Sequence, residues 1–490
     1  MMMSSMAELR PLLPEIIVLV GSLFLMMFEA FSTPKQRGWM HFLSTLTLLG
    51  AAFAVTLDMN FGAPDRSAAG LFVRDALGDV LKLFMLLATG LVFVYGRHYF
   101  DSKRQYFGNF YVLILFAVLG MMVLVSAGNL VTIYMGLELM ALATYAIVAL
   151  DRDNGVASEA AMKYFVLGAL ASGILLYGMS LLFGLTGSLD LFDINSKLAS
   201  LYTADKGNLV LMSFALAFIV IGLAFKFGAV PFHMWLPDVY EGAPTAMTAF
   251  IASVPKLAAV GMAIRLLPEG LGTPDLKPRW QEMLALLAMA SLIVGNLGAI
   301  AQYNLKRMLA YSTISHVGFM LLGLLSANPG GYSALLFYVI VYSISTAAAF
   351  GIMISLSREG LEFDRIDDFK GLNKRSPWMA FSMLIVMASL AGIPPLIGFW
   401  AKLQVLMAVV ALGAAWKALV FIAAIFAVIG SYYYLRVIKV MYFDEPESDA
   451  TPSAGLDVRA ILLLNTLLLA LLGLYSQPLA QLCNRVFGVG

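Results

Sequence analysis

The sequence predicts an all-α polytopic membrane protein, and three observations lead to this fold class. First, 61% of the 490 residues are hydrophobic and only 12% are charged, whereas a soluble domain carries about 25% charged residues. Second, apolar runs of about 20 residues, the length that crosses a bilayer, recur along the whole chain. Third, the longest loops, near 358–376 and 443–455, are too short to form a separate domain.

Fourteen segments are predicted to cross the membrane. In order they are 12–31, 41–57, 76–95, 109–126, 129–150, 160–185, 209–241, 245–267, 280–302, 308–326, 332–357, 377–412, 417–442 and 456–487. The seventh and the twelfth contain glycine and proline in their interiors, and these two are expected to be broken helices.

The seventh segment reads FKFGAVPFHMWLPDVYEGAP from Phe225 to Pro244, after an apolar run without charge. Lys226 stands beside the break that Gly228 and Pro231 predict, and His233 follows it. Irregular backbone at membrane depth survives only where protein or a water-filled cavity covers it. A charge at that depth is costly and indicates function.

The twelfth segment, MASLAGIPPLIGFWAKLQVL, has the same character. Gly392, Pro394 and Pro395 predict its break, and Lys402 lies seven residues beyond Pro395. Two interrupted segments five helices apart suggest paired five-helix units, and this pattern points to a transport pathway. An odd number of helices in each unit implies that the two repeats are inverted. The expected division is 1–106 (three helices), 107–268 (helices four to eight), 269–443 (helices nine to thirteen) and 444–490 (helix fourteen).

Loop charges predict the orientation. With fourteen crossings both termini lie on one side, where the loops carry ten Lys and Arg residues, against sixteen on the other side; the remaining five of the 31 lie within the helices. The positive-inside rule therefore predicts both termini outside the cytoplasm.

Ionisable residues inside the segments are the candidates for chemistry. Glu138 and Lys256 lie near the centres of their helices, and Lys226 and Lys402 lie beside the breaks. Burial and a neighbouring charge decide whether such a group holds its proton. A row of these groups at mid-membrane is what a proton relay requires.

Other positions leave structural readings open. Lys163 follows Glu159 by four residues, which fits a simple surface pair. Lys306 fits a positive-inside anchor, and His233 and His316 fit satisfied interior histidines.

Three further features are expected at the membrane interface. Lys82 is expected to extend its amine to the membrane surface. Glu15 and Glu29 flank the first helix, and Tyr432–Val437 fits an interfacial aromatic belt.

Several classes of site are not expected in this chain. The net charge of +1 argues against a nucleic-acid partner. The single cysteine, Cys483, rules out an internal disulfide and a cysteine-ligated cluster. Four scattered histidines predict no metal site, and no glycine-rich motif for a dinucleotide or ATP is present.

Six stretches together resemble one known family: GLELMALATYAIVAL, FKFGAVPFHMWLPDVYEGAPT, SVPKLA, NLKRMLAYSTISHVGFML, SLAGIPPLIGFWAKL and YYYLRV. The chain is similar over nearly its whole length to the antiporter-like membrane subunits of respiratory NADH–quinone oxidoreductase (complex I). Subunit M of that family has a glutamate where this chain has Lys402, and subunit L has a long lateral helix after helix fourteen. Both features are expected to set this chain apart from those two members.

The resemblance implies fourteen helices with two inverted five-helix repeats and broken helices seven and twelve. It also implies a bacterial inner-membrane location with both termini periplasmic, and other membrane subunits, lipids and protons as partners. NADH, FMN, iron–sulfur clusters and quinone would be bound by other subunits, with no cofactor in this chain. The proton pathway that it implies comprises Glu138, Lys163, Lys226, His233, Lys256, Lys306, His316 and Lys402.

Two alternatives remain at this point. A subunit of a multisubunit cation/proton antiporter shares the fold and the lysines but needs no redox partner. A non-pumping scaffold is the other alternative, although it gains nothing from costly interior charges.

Overall fold

The computed structural model describes residues 9–33, 36, 38–59, 61–102, 108–204, 208–357, 362–446 and 455–489. Within them the chain is almost entirely helical. The helices are α1 (Leu13–Phe31), α2 (Gly38–Leu57), α3 (Ala76–Ser102), α4 (Gly108–Val125), α5 (Leu130–Val148), α6 (Gly155–Thr186), α7 (Leu191–Ala204), α8 (Asn208–Phe227), α9 (Trp235–Gly242), α10 (Thr245–Ser253), α11 (Pro255–Ile264), α12 (Lys277–Ile300), α13 (Leu305–Leu325), α14 (Pro329–Leu356), α15 (Leu372–Arg375), α16 (Pro377–Ala391), α17 (Ile397–Val410), α18 (Lys417–Phe443), α19 (Leu456–Leu474) and α20 (Gln477–Val486).

Short elements complete this part of the chain. Strands β1 (Asp65–Ser67) and β2 (Phe72–Arg74) pair antiparallel. A π-helical turn, Arg265–Gly270, continues α11, and 3-10 turns lie at Arg10–Leu12, Ala68–Gly70, Ile366–Phe369 and Ala414–Trp416.

In the described residues, thirteen helical stretches are long and apolar enough to cross a membrane. The shorter apolar helices α16 and α17 lie where the sequence predicts the interrupted twelfth segment. The chain is therefore a multi-pass helical membrane protein. The count of fourteen crossings and the inverted repeats stay predictions.

Two predicted segments differ from the structure. The last one, 456–487, is two helices, α19 and α20, because the backbone leaves helical geometry at Tyr475 (φ −134°, ψ 74°). Pro478 lies in the first turn of α20, where a proline is tolerated. The eighth, 245–267, consists of α10 and α11, and Pro255 stands at the start of α11. Helix α7 and the strands occupy stretches that the sequence assigned to loops.

The centre of the bundle is formed by α14, α13 and the α10–α11 stretch, which are buried along almost all of their membrane-length windows. In α1, α2, α18 and α19 only about a third of the window is buried. Helix α14 packs against α3, α10, α13, α16 and α17. The interior positions of the central helices are therefore shielded from lipid on all sides.

Both predicted breaks are present as interruptions of the helix. Helix α8 ends at Phe227 and α9 begins at Trp235, with Gly228 at φ +76° and a cis Val230–Pro231 bond. Helix α16 ends at Ala391 and α17 begins at Ile397, with Gly392 at φ +84° and a cis Pro394–Pro395 bond. Glycine accepts these left-handed conformations without the penalty that a side chain incurs.

The loops gather on two opposite faces. One, which we call the Glu362 face, holds the loops at 149–154, 243–244, 301–304 and 362–371; Asn304 bridges to Arg365 there. The other, which we call the Asp75 face, holds the strands and the loops at 126–129 and 187–190, joined by bridges from Phe72 to Ala127 and from Asn129 to Asp190.

Candidate functional site

The first break is capped by a lysine from the next helix. The Nζ atom of Lys256 donates to the carbonyl of Phe227 at 2.8 Å and approaches that of Lys226 at 3.5 Å. The last carbonyls of a helix lack partners within it, and the helix dipole favours a cation there. Lys256, only 1% exposed, therefore satisfies the end of α8.

Lys226 itself lies among aromatic rings in the last turn of α8. Its Nζ atom is 5.9 Å from the Tyr145 ring centroid and 5.7 Å from that of Phe225. Glu138 is the carboxylate whose charge acts on it. The buried Oε1 of Glu138 and the hydroxyl of Tyr145 have no hydrogen-bond partner among the described residues. Among the described residues, Glu138 therefore acts on Lys226 through its charge and not through a direct ion pair.

Lys163 is not paired with Glu138. Its Nζ atom lies 2.9 Å from Glu159 Oε1 and 2.9 Å from Asp238 Oδ2. Asp238 in turn accepts from Arg307 at 2.9 Å. The surface pair between Lys163 and Glu159, which their spacing in the sequence allows, is therefore present. Lys163 also contacts Asp238 on α9, which the local sequence does not indicate. Lys163 is 44% exposed in the isolated chain.

His233 lies in the irregular stretch between α8 and α9. Its backbone carbonyl accepts from Leu236 at 2.9 Å. Its side chain is half-buried, and Nδ1 has no hydrogen-bond partner among the described residues. The ring also interacts with the backbone of Pro231, within the same interruption.

The second break has the same cap, formed by Lys402. Its Nζ atom donates to the carbonyls of Leu390 at 3.0 Å and Ala391 at 2.7 Å, the last residues of α16. The ring of Phe319 lies 5.5 Å away. Lys402 thus corresponds in its contacts to Lys256 rather than to Lys226, the lysine that shares the interrupted segment at the first break.

His316 is the centre of a buried tyrosine cluster. Its Nδ1 hydrogen-bonds to Tyr338 at 2.7 Å and its Nε2 to Tyr434 at 3.0 Å, and Tyr434 also contacts Ser312. Tyr433 and Tyr434 are almost fully buried, so the interfacial role expected for the stretch 432–437 is wrong for these two residues. They lie on the inner side of α18, while Tyr432 is exposed.

A narrow cavity lies between this cluster and the second break. It is lined by His316, Tyr338, Tyr342, Ser389 and Leu390, and its volume of about 10 Å³ suits about one water molecule. Thr313 hydrogen-bonds to Tyr342 at 2.8 Å beside it. His316 therefore shares this cavity with Leu390, whose carbonyl accepts the hydrogen bond from Lys402.

Lys306 lies near the Glu362 face at the start of α13. It is buried, its Nζ atom donates to the carbonyl of Ala243 at 3.0 Å, and Glu362 Oε2 is 3.9 Å away. A membrane-surface anchor would extend into solvent, so this lysine does not act as one.

A buried ion pair near the Asp75 face escaped the sequence reasoning. Lys82 is 1% exposed and lies 2.7 Å from Glu15 Oε1, which is also buried. Lys82 was expected to extend its amine to the membrane surface and Glu15 to lie at the membrane interface, and both expectations are wrong. The two carry opposite charges on different helices, α3 and α1, and only tertiary packing brings them together.

Further charges extend this cluster to the surface. Arg74 contacts Asp79 at 3.3 Å and Asp58 at 3.6 Å, and Asp58 pairs with Arg10 at 2.6 Å. The hydrogen bond from Arg10 holds the pKa of Asp58 below its usual range.

A second pair anchors the π turn after α11. Arg265 donates to both carboxylate oxygens of Asp75, at 2.7 and 2.8 Å, and to Glu269 at 2.8 Å. Burial favours the neutral acid, but the charge and hydrogen bonds of Arg265 outweigh it, so the pKa of Asp75 lies below its usual value. Asp75 and Arg265 are 190 residues apart, so the local sequence around either residue does not indicate the pair.

No group of three or more His, Cys, Asp or Glu side chains that could hold a metal ion occurs in the described ranges. Cys483 is buried and free. The side chains described above, lysines, two histidines and a carboxylate, are groups that can bind and release protons.

Comparison with known proteins agrees with this arrangement. Residues 127–443 match the family described as NADH:quinone oxidoreductase/Mrp antiporter, TM. The chain is 51% identical to NADH-quinone oxidoreductase subunit N of Thiobacillus denitrificans, over 99% of this chain and 98% of that protein. It is 50% identical to the subunit of the same name from Nitrosomonas europaea, over 97% of both chains.

Solved structures show the same fold. A chain of respiratory complex I from Thermus thermophilus matches with a TM-score of 0.80 and 32% identity, over 96% of this chain and 98% of that one. A chain of the archaeal membrane-bound sulfane sulfur reductase matches at 0.84 and 25% identity, covering 98% and 97%. A chain of the Mrp complex from Dietzia matches at 0.83 with 23% identity, covering 97% and 96%, which shows a shared fold.

Proposed function

The chain belongs to the family of NADH:quinone oxidoreductase and Mrp antiporter membrane subunits, and from this premise we propose that it moves protons as the subunit N type of membrane subunit in an NADH–quinone oxidoreductase. It contributes no redox centre. NADH, flavin, iron–sulfur clusters and quinone are bound by other subunits, and quinone reduction there drives the changes of charge in this chain. Its partners are neighbouring membrane subunits, lipids and protons in a bacterial inner membrane, with the Glu362 face in the cytoplasm and both termini in the periplasm.

The observation that carries the proposal is the lysine at each helix break. Lys256 and Lys402 each hold the free carbonyls at the end of a half-helix, at distances of 2.7 to 3.5 Å. Buried ammonium groups are costly in a membrane, and such residues mark ion pathways. Each ammonium is held by these charge-assisted contacts, which weaken when the lysine gives up its proton.

The first half of the pathway begins at Glu138. With Lys163 held by Asp238 and Glu159, the carboxylate of Glu138 has Lys226 as the cation within its electrostatic reach. A carboxylate that approaches a lysine stabilises its charged form, and one that withdraws releases the proton. Movement of Lys163 towards Glu138 would therefore free the proton of Lys226.

The proton then passes along the breaks. Lys256 contacts the backbone carbonyl of Lys226, and His233 lies in the same interruption. In the second half, Lys306, His316 and Lys402 follow one another, with the tyrosine cluster and a one-water cavity beside His316. Lys402 is the group that releases the proton on the Asp75 face.

Co-purification tests the assignment. The tagged chain is extracted in mild detergent, and inhibitor-sensitive NADH–quinone reductase activity is assayed in the eluate. Activity that elutes with the tag is expected. A stable assembly that lacks this activity but exchanges protons for cations in vesicles would place the chain with the antiporters instead.

A Lys226→Ala variant tests the role of the pathway. The assembled complex in vesicles is expected to move fewer protons for each electron than the native complex. A normal proton-to-electron ratio in an assembled variant would remove Lys226 from the pathway.

A further inference from the structure

A polar cavity opens on the Glu362 face. Its volume is about 360 Å³, and its wall brings together α3, the loop before α6, the end of α9, α13 and the loop after α14. Its charged lining residues are Asp151, Glu241, Lys306, Glu362 and Asp364. Four carboxylates surround one lysine, so the cavity attracts cations and water rather than an anion.

Lys306 is placed where an ammonium group is unfavourable. It is the second residue of α13, and the positive end of a helix dipole disfavours a cation in the first turn. It is also buried. The carbonyl of Ala243 at 3.0 Å and the carboxylate of Glu362 at 3.9 Å offset these costs. The carbonyl and the carboxylate both stabilise the ammonium form of Lys306.

Glu362 is held in place from two other helices. Tyr99 of α3 donates to Oε1, and Thr245, the first residue of α10, donates to Oε2 at 2.6 Å. The carboxylate thus joins α3, α10 and α13 and lies on the wall of the cavity beside the amine of Lys306.

We propose that the second half of the chain takes up protons through this cavity, and that Glu362 passes them to Lys306. The proposal rests on the proton-moving function proposed above. When the ammonium of Lys306 gives its proton inward, Glu362 loses the positive charge of Lys306 beside it. Its carboxylate then binds a proton from a hydronium ion in the cavity, leaving water. The carboxylic acid transfers that proton to the neutral amine, which restores the carboxylate–ammonium pair.

The inward direction follows α13. Thr313 lies seven residues beyond Lys306, about 10 Å along the helix, and hydrogen-bonds to Tyr342 at 2.8 Å. His316 and its tyrosine partners come next on the same helix. Uptake at Lys306 thereby leads to the groups beside Lys402.

The test compares variants of the whole complex in sealed vesicles. Glu362→Gln keeps the size and hydrogen-bond acceptor but cannot form a carboxylate. It is expected to lower the ratio of protons moved to electrons transferred by the same amount as Lys402→Ala. The matched control is Asp367→Asn, an exposed carboxylate outside the cavity on the same loop, which is expected to keep the native ratio.

The outcomes separate this inference from the function on which it rests. A reduced ratio in Lys402→Ala with a native ratio in Glu362→Gln would overturn the role of Glu362 and leave the proposed function standing. A native ratio in Lys402→Ala would remove the proposed function and this inference together.

Two more variants separate proton transfer from a structural latch. Thr245→Val removes a hydrogen bond to Glu362 but no titratable group. If Glu362 transfers protons, this variant keeps the native proton-to-electron ratio. If Glu362 only holds helices together, the variant lowers the ratio as Glu362→Gln does. Lys306→Arg keeps the positive charge but cannot release a proton, and it decides the case if Glu362→Gln does not assemble. A native ratio in Lys306→Arg would overturn the proposal.

Discussion

Replacing Gly392 with alanine tests whether the backbone at the second break controls Lys402. Gly392 ends α16 at φ +84°, and an added Cβ would lie 2.9 Å from Lys402 Cδ and 3.3 Å from its Nζ. Carbon atoms pack comfortably at about 3.7 Å, so the lysine side chain must move by roughly 0.8 Å. A shift of this size that carries Nζ away from the Ala391 carbonyl lengthens their 2.7 Å bond beyond the usual limit of about 3.2 Å.

The expected cost has two parts. The left-handed backbone costs an alanine about 1–2 kcal/mol, and the loss of one hydrogen bond from a charged donor costs about 1.5–3 kcal/mol. Gly187→Ala is the matched control, since Gly187 also ends a helix, at φ +62°, but has no atom within 4 Å of an added Cβ. It incurs the first cost alone.

The assay measures the melting temperature of the purified complex and its proton-to-electron ratio in vesicles. Gly392→Ala is expected to melt below Gly187→Ala and to move fewer protons for each electron, while Gly187→Ala keeps the native ratio. Equal melting temperatures and equal ratios in the two variants would refute the coupling between this glycine and Lys402.

Three further predictions concern the ion pairs. Lys82→Met strands the buried carboxylate of Glu15 and is expected to cost about 3–5 kcal/mol, while Glu15→Gln combined with it restores much of the loss; melting temperatures of the purified complex check this, and additive losses would contradict it. Asp75→Asn is expected to cost about 3 kcal/mol, because Arg265 keeps Glu269. Since the pKa of Asp75 is depressed in the folded protein, its contribution to stability is complete above the unfolded pKa of about 3.9 and disappears only as the pH falls through the lower folded pKa. The difference in melting temperature between the Asp75→Asn complex and the native complex should therefore be constant between about pH 5 and pH 8. A difference that shrinks across this range would contradict this prediction. Lys163→Ala is expected to leave the melting temperature nearly unchanged, because the lysine is nearly half exposed, but to lower the proton-to-electron ratio. A native ratio would show that its pair with Asp238 is structural.

The parts of this protein that sequence reasoning predicted are those with local signals. Gly228, Pro231, Gly392 and the two prolines after it indicate the breaks through their own backbone constraints. The buried lysines were recognisable because a charge within an apolar run is rare. Composition alone was sufficient for the multi-pass helical class.

The features that sequence reasoning missed depend on partners far apart in the chain. Lys163 meets Asp238 75 residues away, and Arg265 meets Asp75 190 residues away. Nothing near either residue indicates the other. The similarity of Lys256 to Lys402 was also hidden, because the first break is capped by a lysine from the following helix rather than from its own segment.

The paired caps give the two halves a common physical basis. Each interrupted helix exposes carbonyls that a cation satisfies well, and at each break that cation is a lysine, from the following helix at the first break and from the same segment at the second. A lysine in such a place has two distinct states, one charged and bound and one neutral and released. Pathways that move protons stepwise need groups of this kind.

The most direct measurement is the proton-to-electron ratio of the complex that carries Lys402→Arg. Arginine keeps the charge and can donate to the carbonyls of Leu390 and Ala391, but it does not lose its proton. Lys197→Arg, on the exposed helix α7, is the control. If Lys402 transfers protons, its arginine variant assembles and yet moves fewer protons for each electron than the control. A native ratio in the assembled Lys402→Arg complex would show that the lysine is only a cap, and the proton pathway proposed through it would be wrong.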